Sequence, residues 1–229
     1  MNFQFKNRAE AGRFLAGKLE AYAGRPDVVV LGLPRGGIPV AFEVALSLHA
    51  PLQAFLVRKL GVPSHEELAM GAIAGGGVCF LNAPLIQSLG IKRRTIDEVI
   101  ARERRELERR ERAFFIGPMP ELCGRVVILI DDGLATGATM RVAVMAVREH
   151  HPARIVVAVP VAAPETCREF EQEVDEVVCV QTPARLEGVG QWYEDFSQTT
   201  DEEVRELLEQ AAKSRPVAPG RAAMISEGL

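Results

Sequence analysis

The segment VVILIDDGLATGATM, residues 126–140, carries the residue types best suited to chemistry. An apolar run ends in two adjacent carboxylates, Asp131 and Asp132, and the small residues that follow let backbone N–H groups approach a ligand closely. A helix predicted directly after this loop adds its positive dipole end, so the loop favours an anion such as a phosphate. The loop residues predicted to contact that phosphate are Gly133, Ala135, Thr136, Gly137, Ala138 and Thr139.

Two carboxylates beside a phosphate would repel it unless they contact another part of the ligand. A sugar diol or a bridging Mg²⁺ ion removes this conflict, because hydroxyl groups donate to carboxylates and Mg²⁺ binds carboxylate oxygens. The acidic pair and the loop together predict a site for a sugar 5-phosphate, in which Asp131 and Asp132 hold the sugar hydroxyl groups.

A second glycine turn, LPRGG at residues 33–37, follows another apolar run and precedes a predicted helix. It combines the N–H groups of Gly36 and Gly37 with the guanidinium of Arg35. Because ligands of open α/β sheets lie at the carboxyl ends of the strands, both turns are predicted to face one ligand. The chain has no G-x-x-x-x-G-K-[ST] motif and GLPRGG is not G-x-G-x-x-G, which excludes P-loop and dinucleotide-binding sites.

The run DDGLATGAT resembles the loop that binds 5-phosphoribosyl-1-pyrophosphate (PRPP) in the type I phosphoribosyltransferases. The resemblance implies Mg²⁺-dependent transfer of a 5-phosphoribosyl group from PRPP to a nitrogenous base or similar acceptor, with release of pyrophosphate. It assigns Asp131 and Asp132 to the ribose diol, the metal and catalysis. It assigns the loop at residues 133–139 to the 5-phosphate and the turn at residues 33–37 to the pyrophosphate.

The resemblance also gives roles to residues beyond the two turns. Arg58 and Lys59 end a predicted strand, beside a loop that closes over PRPP in the family, and are expected to contact the pyrophosphate. Members that act on hypoxanthine and guanine commonly have an aspartate where this chain has Ala135, and alanine cannot transfer a proton. Glu66 and Glu67 are therefore the candidate acid–base residues, unless the acceptor needs none.

Residues 183–196 resemble the hood that recognises the acceptor in purine salvage members of the family. Val189, Trp192 and Tyr193 are the expected acceptor contacts, and Asp195 is an expected metal ligand. A single tryptophan is also common in core packing, so both interpretations of Trp192 remain open.

The elements that must position these residues follow from apolar, β-branched runs separated by helix-like segments. This alternation predicts an α/β fold with a doubly wound, mainly parallel sheet flanked by helices. Helices are predicted near the amino terminus with Asn7 as its cap, at residues 38–48, and after Thr200, which forms a capping box with Glu203. The predicted strands are residues 27–33, 52–58, 125–131, 154–162 and 175–180.

Residues 61–118 interrupt this alternation as a flexible loop followed by a charged-helix insertion. The glycine-rich part at residues 61–90 predicts a hairpin or mobile excursion. Residues 95–114 predict a long helix whose thin apolar stripe lies on the surface or against a partner subunit, with a Thr95–Glu98 capping box. Its predicted ion pairs are Glu98–Arg102, Glu106–Arg110 and Glu108–Arg112. The predicted organisation is one domain at residues 1–212, with a core at about 25–60 and 120–180, a hood at 181–198 completed by the N-terminal segment, and a disordered tail at 213–229.

Composition restricts the partners. A net charge of −4 over 229 residues, without a basic segment, argues against nucleic acid and for a small molecule. The amino terminus lacks the uninterrupted apolar run of a signal peptide, and no stretch approaches the roughly 20 apolar residues of a membrane span, so we expect no membrane partner. The four cysteines form no C-x-x-C pair and are expected to be reduced, mostly buried thiols in a cytoplasmic protein. The family resemblance adds the expectation of a homodimer.

Two alternative functions share the same motif. A PRPP-sensing regulator would keep the fold without turnover, and would need a nucleic-acid or protein-binding surface, for which the charge-balanced helix at residues 95–114 is the only candidate. A PRPP-making kinase would require an ATP site that the sequence does not show. The stretch HEELA at residues 65–69 begins like a zinc-protease motif but lacks the second histidine, which excludes that activity.

Overall fold

The computed structural model describes residues 3–63, 65–114 and 119–214, without the side chains of Glu66 and Glu67. In chain order the helices and strands are α1 (Arg8–Lys18), β1 (Val28–Gly32), α2 (Gly37–Leu48), β2 (Leu52–Ala54), β3 (Val57–Val62), β4 (His65–Ala74), β5 (Cys79–Leu81), α3 (Ala83–Ser88), α4 (Arg93–Phe114), β6 (Val126–Ile130), α5 (Ala138–Arg148), β7 (Arg154–Val161), α6 (Pro164–Phe170), β8 (Glu176–Gln181) and α7 (Asp201–Lys213).

Five strands form a parallel sheet in the order β2-β1-β6-β7-β8. Both faces of this sheet are covered. Val28 and Val30 of β1 pack in one core with α1 and α2, while Val29 and Leu31 pack on the opposite face with α5 and α6. A strand buried on both faces is apolar at every position, which is why these runs show no alternation. The predicted doubly wound α/β fold is confirmed.

The apolar run at residues 52–58 is not one strand, and this prediction was wrong. Only β2, at its start, joins the parallel sheet. Phe55 N still donates to Gly32 O of β1 at 2.9 Å, but the chain then turns away, and both Phe55 and Leu56 are buried. Strand β3 then pairs antiparallel with β4. Strands β3, β4 and β5 form a separate three-stranded antiparallel sheet, so the glycine-rich stretch does contain the predicted hairpin. Arg58 and Lys59 consequently lie within a strand of this small sheet instead of ending a strand of the parallel one.

The long helix α4 begins at Arg93, two residues before the predicted capping box. It buries more than the thin stripe expected from its sequence, because it packs against β3, β4 and α7. The ion pair between Glu106 and Arg110 forms with a distance of 3.0 Å, whereas Glu98 pairs with Arg94 instead of Arg102. The buried residues of α4 are Ile96, Val99, Glu103, Leu107 and Phe114.

A buried ion pair fastens α4 to the antiparallel sheet. Nε and Nη2 of Arg58 donate to one carboxylate oxygen of Glu103 at 2.9 and 2.6 Å, and the Glu103 side chain is almost fully buried. Burial alone would raise the pKa of Glu103, but hydrogen bonds from Arg58 and Arg102 outweigh burial and lower it. Arg58 is therefore engaged in holding the insertion in place.

Both predicted terminal helix caps are present. The side chain of Asn7 accepts a hydrogen bond from Glu10 N at the start of α1, and Thr200 and Glu203 form the full capping box of α7. Lys213 belongs to α7, and the rest of the predicted tail, from residue 215, lies outside the described residues. No helix in the described ranges combines the length and apolar character needed to cross a membrane.

The cysteines are less buried than expected, because Cys79 and Cys123 are exposed. Cys167 on α6 is buried and lies beside Cys179 on β8, with a distance of 2.9 Å between their sulfur atoms. All four cysteines are free in this structure.

Candidate active site

The acidic pair lies at the carboxyl end of β6, in the middle of the parallel sheet. Asp131 accepts a hydrogen bond from the backbone N–H of Asp132 at 2.9 Å. The carboxylate of Asp132 accepts one from Nε of Arg8 at 2.8 Å, and this ion pair is 11% exposed on the arginine side and 16% on the aspartate side. Arg8 also donates to the carbonyl of Ser197 and covers the ring of Phe196 at 3.9 Å.

Burial raises the pKa values of both acids above that of an exposed aspartate. Burial, followed by the negative charge of Asp132, raises the pKa of Asp131 well above its ordinary value. Burial also raises the pKa of Asp132, although the hydrogen bond and charge of Arg8 oppose this rise. A site that holds two carboxyl groups at such cost is suited to a ligand that donates hydrogen bonds or carries positive charge.

The predicted phosphate loop is anchored from behind through its carbonyl groups. The Ala135 carbonyl accepts a 2.6 Å hydrogen bond from the Thr166 hydroxyl, and the Thr136 carbonyl accepts one of 2.9 Å from Arg141. Within the described chain, no hydrogen bond occupies the backbone N–H groups of residues 135–139. Apart from Gly137, these residues are exposed. The loop thus presents a row of N–H donors at the start of α5, which is the geometry of an anion site.

The second glycine turn contacts the acids directly. A methyl group added at Gly36 would lie 2.0 Å from the carboxylate of Asp132, and one added at Gly37 would lie 2.9 Å from the Cα atom of Asp131. Glycine is thus required at both positions by the close approach of the two turns. The peptide between Pro34 and Arg35 is cis, and Arg35 forms an exposed ion pair with Asp201 at 3.5 Å. The structure therefore brings together both turns that the sequence assigned to one ligand.

The hood is built from both ends of the described chain. Phe5 forms a parallel bridge with Tyr193, with hydrogen bonds from Phe5 N to Trp192 O at 2.9 Å and from Glu194 N to Phe5 O at 2.8 Å. Val189 packs onto Gly133, where an added methyl group would lie 2.4 Å from a Val189 side-chain carbon. These contacts place the hood directly above the start of the phosphate loop.

Two of the three expected acceptor contacts are mainly structural in this conformation. The Tyr193 ring is 4% exposed and lies between Phe5 and Phe196, at centroid distances of 5.5 and 5.1 Å. Its hydroxyl donates to the backbone carbonyl of Asp132 at 2.6 Å. Trp192 packs beside the hood core, and its Nε1 is buried without a hydrogen-bond partner among the described residues. Tyr193 therefore supports the acidic pair through the backbone of Asp132.

Replacing Tyr193 with Phe tests this supporting role. The change keeps the packed ring and removes the hydrogen bond to the Asp132 carbonyl, so we expect a loss of about 1 kcal/mol in the free energy of unfolding. Urea unfolding monitored by fluorescence measures it. An unchanged free energy of unfolding would contradict this supporting role.

The other predicted site residues are more scattered. Arg58 is paired with Glu103 in the small sheet, and Lys59 follows it in the same strand. Glu66 and Glu67 belong to β4, and their side chains lie outside the described part of the structure. Arg8 is a site residue that sequence reasoning missed: it lies 124 positions from Asp132, and no local pattern marks it.

The acids fit a Mg²⁺ ion only in part. Among the described residues, no three His, Cys, Asp or Glu side chains gather into a metal-binding group. Asp195, the expected third ligand, is exposed and accepts a 2.9 Å hydrogen bond from Ser197 N. Because Mg²⁺ keeps several waters and is commonly held by one or two carboxylates plus phosphate oxygens, Asp131 and Asp132 fit this ion when a phosphorylated ligand completes the shell.

Comparison with known proteins shows similarity over most of the chain. Residues 64–193 match the model of the phosphoribosyl transferase domain. A Mycobacterium tuberculosis H37Rv protein named as a phosphoribosyl transferase is 46% identical over 208 residues, covering 90% of this chain and 47% of its own length. The uracil phosphoribosyltransferase of Aquifex aeolicus is 30% identical over 121 residues, covering 50% of this chain and 52% of its own. The chain thus spans about half the length of the Mycobacterium tuberculosis relative.

A solved structure matches almost the whole fold. The crystal structure of TT1426 from Thermus thermophilus superposes with a TM-score of 0.83 at 40% sequence identity. The match covers 91% of this chain and 99% of that one.

Proposed function

The chain belongs to the phosphoribosyl transferase family, and from this premise we propose that it transfers the 5-phosphoribosyl group of PRPP to a nitrogenous base, releasing pyrophosphate. One observation carries the proposal. Two glycine turns and an acidic pair meet at one edge of the sheet, with direct contact between Gly36 and Asp132, which are 96 positions apart in the sequence. The site has hydrogen-bond donors for phosphate at both ends and acids in the middle. This order matches a ribose with phosphate groups at its 5 and 1 positions.

Each part of the site has a separate task in this proposal. The open N–H groups of residues 135–139 bind the 5-phosphate, and Asp131 and Asp132 accept hydrogen bonds from the ribose diol. The turn at residues 33–37 receives the pyrophosphate through Gly36 N–H and Arg35, because Gly37 N–H already donates to Leu33 O at 3.0 Å. Preorganised donors around a departing anion stabilise the charge that develops as the bond to the anomeric carbon breaks. Mg²⁺, when bound, would supply further positive charge to this leaving group.

Arg8 is a positioning residue in this scheme. Its guanidinium fixes the carboxylate of Asp132 at 2.8 Å and links it to the hood through the Ser197 carbonyl. The orientation of the diol contact therefore depends on the N-terminal helix. The exposed side chain of Ala135 offers no proton, so the acceptor must be a base that needs none from that position, or one that receives it elsewhere.

The test is Mg²⁺-dependent pyrophosphate release from PRPP across a panel of purine, pyrimidine and pyridine bases. We expect release with one class of base, and the class identifies the acceptor. Uracil belongs in the panel because of the Aquifex aeolicus relative. Binding of PRPP without release in the presence of any base would contradict the enzyme proposal and favour a PRPP-sensing regulator of the same fold.

A further inference from the structure

A cavity of about 200 Å³ opens beside the pyrophosphate turn, between that turn, the start of α5 and the last turns of α4. Phe55 and Leu56 contribute apolar surface to its wall. Its polar lining comes from Arg35 of the turn, Thr139 of the phosphate loop, Arg109 and Arg110 of α4, and Asp201 of α7. The cavity is therefore bounded by both segments assigned to PRPP and by the helix to which the site has so far given no role.

The cavity has an excess of positive charge. Three guanidinium groups line it, against the single carboxylate of Asp201. Just outside the lining, Glu106 accepts hydrogen bonds from Arg109 at 2.8 and 2.9 Å and from Arg110 at 3.0 Å. These hydrogen bonds lower the pKa of Glu106 to about 2, so its carboxylate stays ionised and acts as an internal anion for both arginines. An incoming anion with several oxygens can replace it.

We propose that Arg109 and Arg110 bind the pyrophosphate group of PRPP, exchanging Glu106 for phosphate oxygens. The inference rests on the proposed function, because it takes the turn at Gly36 and Gly37 as the place where the pyrophosphate begins. The cavity adjoins this turn, and Thr139 in the cavity wall belongs to the 5-phosphate loop. Guanidinium groups suit this task because they bind phosphate oxygens in pairs and stay charged at any working pH.

The helix is held rigidly enough to present these side chains. Leu107 and Phe114 are buried on either side of the two arginines, and the ion pair between Glu103 and Arg58 fixes the preceding turn to β3. Arg109 and Arg110 themselves remain 63% and 45% exposed, so they can change partner without disturbing the core. Arg109 and Arg110 lie near the C-terminal end of α4, where the helix dipole does not attract anions. Affinity for an anion must therefore come from the two arginines.

The simpler explanation is that these arginines only balance glutamates on a solvated helix face. The same helix offers a matched control, because Arg93 and Arg94 form comparable ion pairs with Asp97 and Glu98, at 3.0 and 2.9 Å, far along α4 from the cavity. The double variants R109A/R110A and R93A/R94A remove the same number of charges from one helix. Only the first pair faces the cavity.

Isothermal titration of the full chain with inorganic pyrophosphate, ribose 5-phosphate and PRPP tests the proposal. We expect R109A/R110A to weaken pyrophosphate and PRPP binding by about 10- to 100-fold, as for the loss of charge-assisted hydrogen bonds, and to leave ribose 5-phosphate within about twofold. R93A/R94A should match the wild-type protein with all three ligands. E106Q, which frees both arginines, should tighten pyrophosphate binding by about threefold, the size of an exposed ion pair.

The outcomes separate this inference from the function on which it rests. If the wild-type protein binds PRPP and R109A/R110A keeps the wild-type affinity for pyrophosphate, the role of the arginines is overturned but the proposed function is not. Equal losses in R109A/R110A and R93A/R94A would overturn it as well, because the effect would then be one of general charge. A wild-type protein that binds neither PRPP nor ribose 5-phosphate would overturn the proposed function and this inference with it.

Discussion

Replacing Asp131 with Asn is expected to abolish PRPP turnover and, at the same time, to raise the free energy of unfolding. The loss of function, at least about 100-fold, follows from removing a preorganised charged acceptor of the ribose diol. The gain in stability follows from the raised pKa of Asp131, whose ionised form is disfavoured by burial and by the charge of Asp132. An asparagine of the same shape removes that charge without leaving a cavity.

The pH dependence of unfolding distinguishes this cause from a general packing effect. In the unfolded chain an aspartate titrates near 3.9, whereas in the folded protein Asp131 keeps its proton to a higher pH. Between the two pKa values, unfolding releases a proton, so the stability of the wild-type protein falls as pH rises through that window and then levels off. The Asp131→Asn variant should lack much of this fall. Urea unfolding of both proteins from pH 4 to pH 8 measures it, and parallel stability curves would contradict the prediction.

Asp132→Asn is the matched control, because it makes the same chemical change one position along the chain. Here the carboxylate also serves as the partner of Arg8, which is nearly buried. Removing its charge leaves the guanidinium without a full partner, and such a loss offsets any relief from burial. We therefore expect substantially weaker PRPP binding but no gain in stability. Unchanged PRPP affinity in Asp132→Asn would contradict its assignment to the ribose diol.

The parts of the site that could be predicted from sequence are those that depend on local order. Each glycine turn follows a strand and precedes a helix, and parallel strands place such turns at one edge of the sheet. This rule was enough to predict that Gly36 and Asp132 serve one ligand, although the contact between them is tertiary. The capping box of α7 was equally accessible, because both partners lie within one helical turn.

The parts that could not be predicted depend on which distant groups meet. Nothing in the N-terminal sequence marks Arg8 as the partner of Asp132, because many arginines are available and the hood decides which one reaches the acid. The strand break at Phe55 and Leu56 is hidden in the same way. Both residues are apolar and suited to a strand, but the paired register of β2 ends at Ala54, and Phe55 and Leu56 then pack into two different hydrophobic cores. Glu103 lies within a strongly charged helix, and this pattern indicates a solvated residue. In the structure Arg58 lies opposite it and donates to its carboxylate.

Replacing Gly137 with Ala is expected to have the largest effect on the phosphate loop. Gly137 has φ +71°, a left-handed conformation that costs a residue with a Cβ atom roughly 1–2 kcal/mol. Its added methyl group would also lie 2.5 Å from the ring of Phe170, which is fully buried and cannot move away freely. Overpacking of this kind costs about 1–3 kcal/mol more. We expect a total loss of about 3 kcal/mol in the free energy of unfolding, measured by urea unfolding.

Gly124→Ala separates the two contributions. Gly124 has φ +67°, but nothing lies within 4 Å of an added methyl group there, so this variant bears the cost of the backbone conformation alone. We expect it to lose about 1 kcal/mol and to bind ribose 5-phosphate like the wild-type protein. Gly137→Ala should lose at least about tenfold in that affinity, because the loop that it displaces carries the open N–H groups of the anion site. If both variants lost equal stability and kept full ribose 5-phosphate affinity, the packing of α6 against the loop would have no part in shaping the site. The contact between Phe170 and Gly137 makes α6 the support on which the phosphate loop is held.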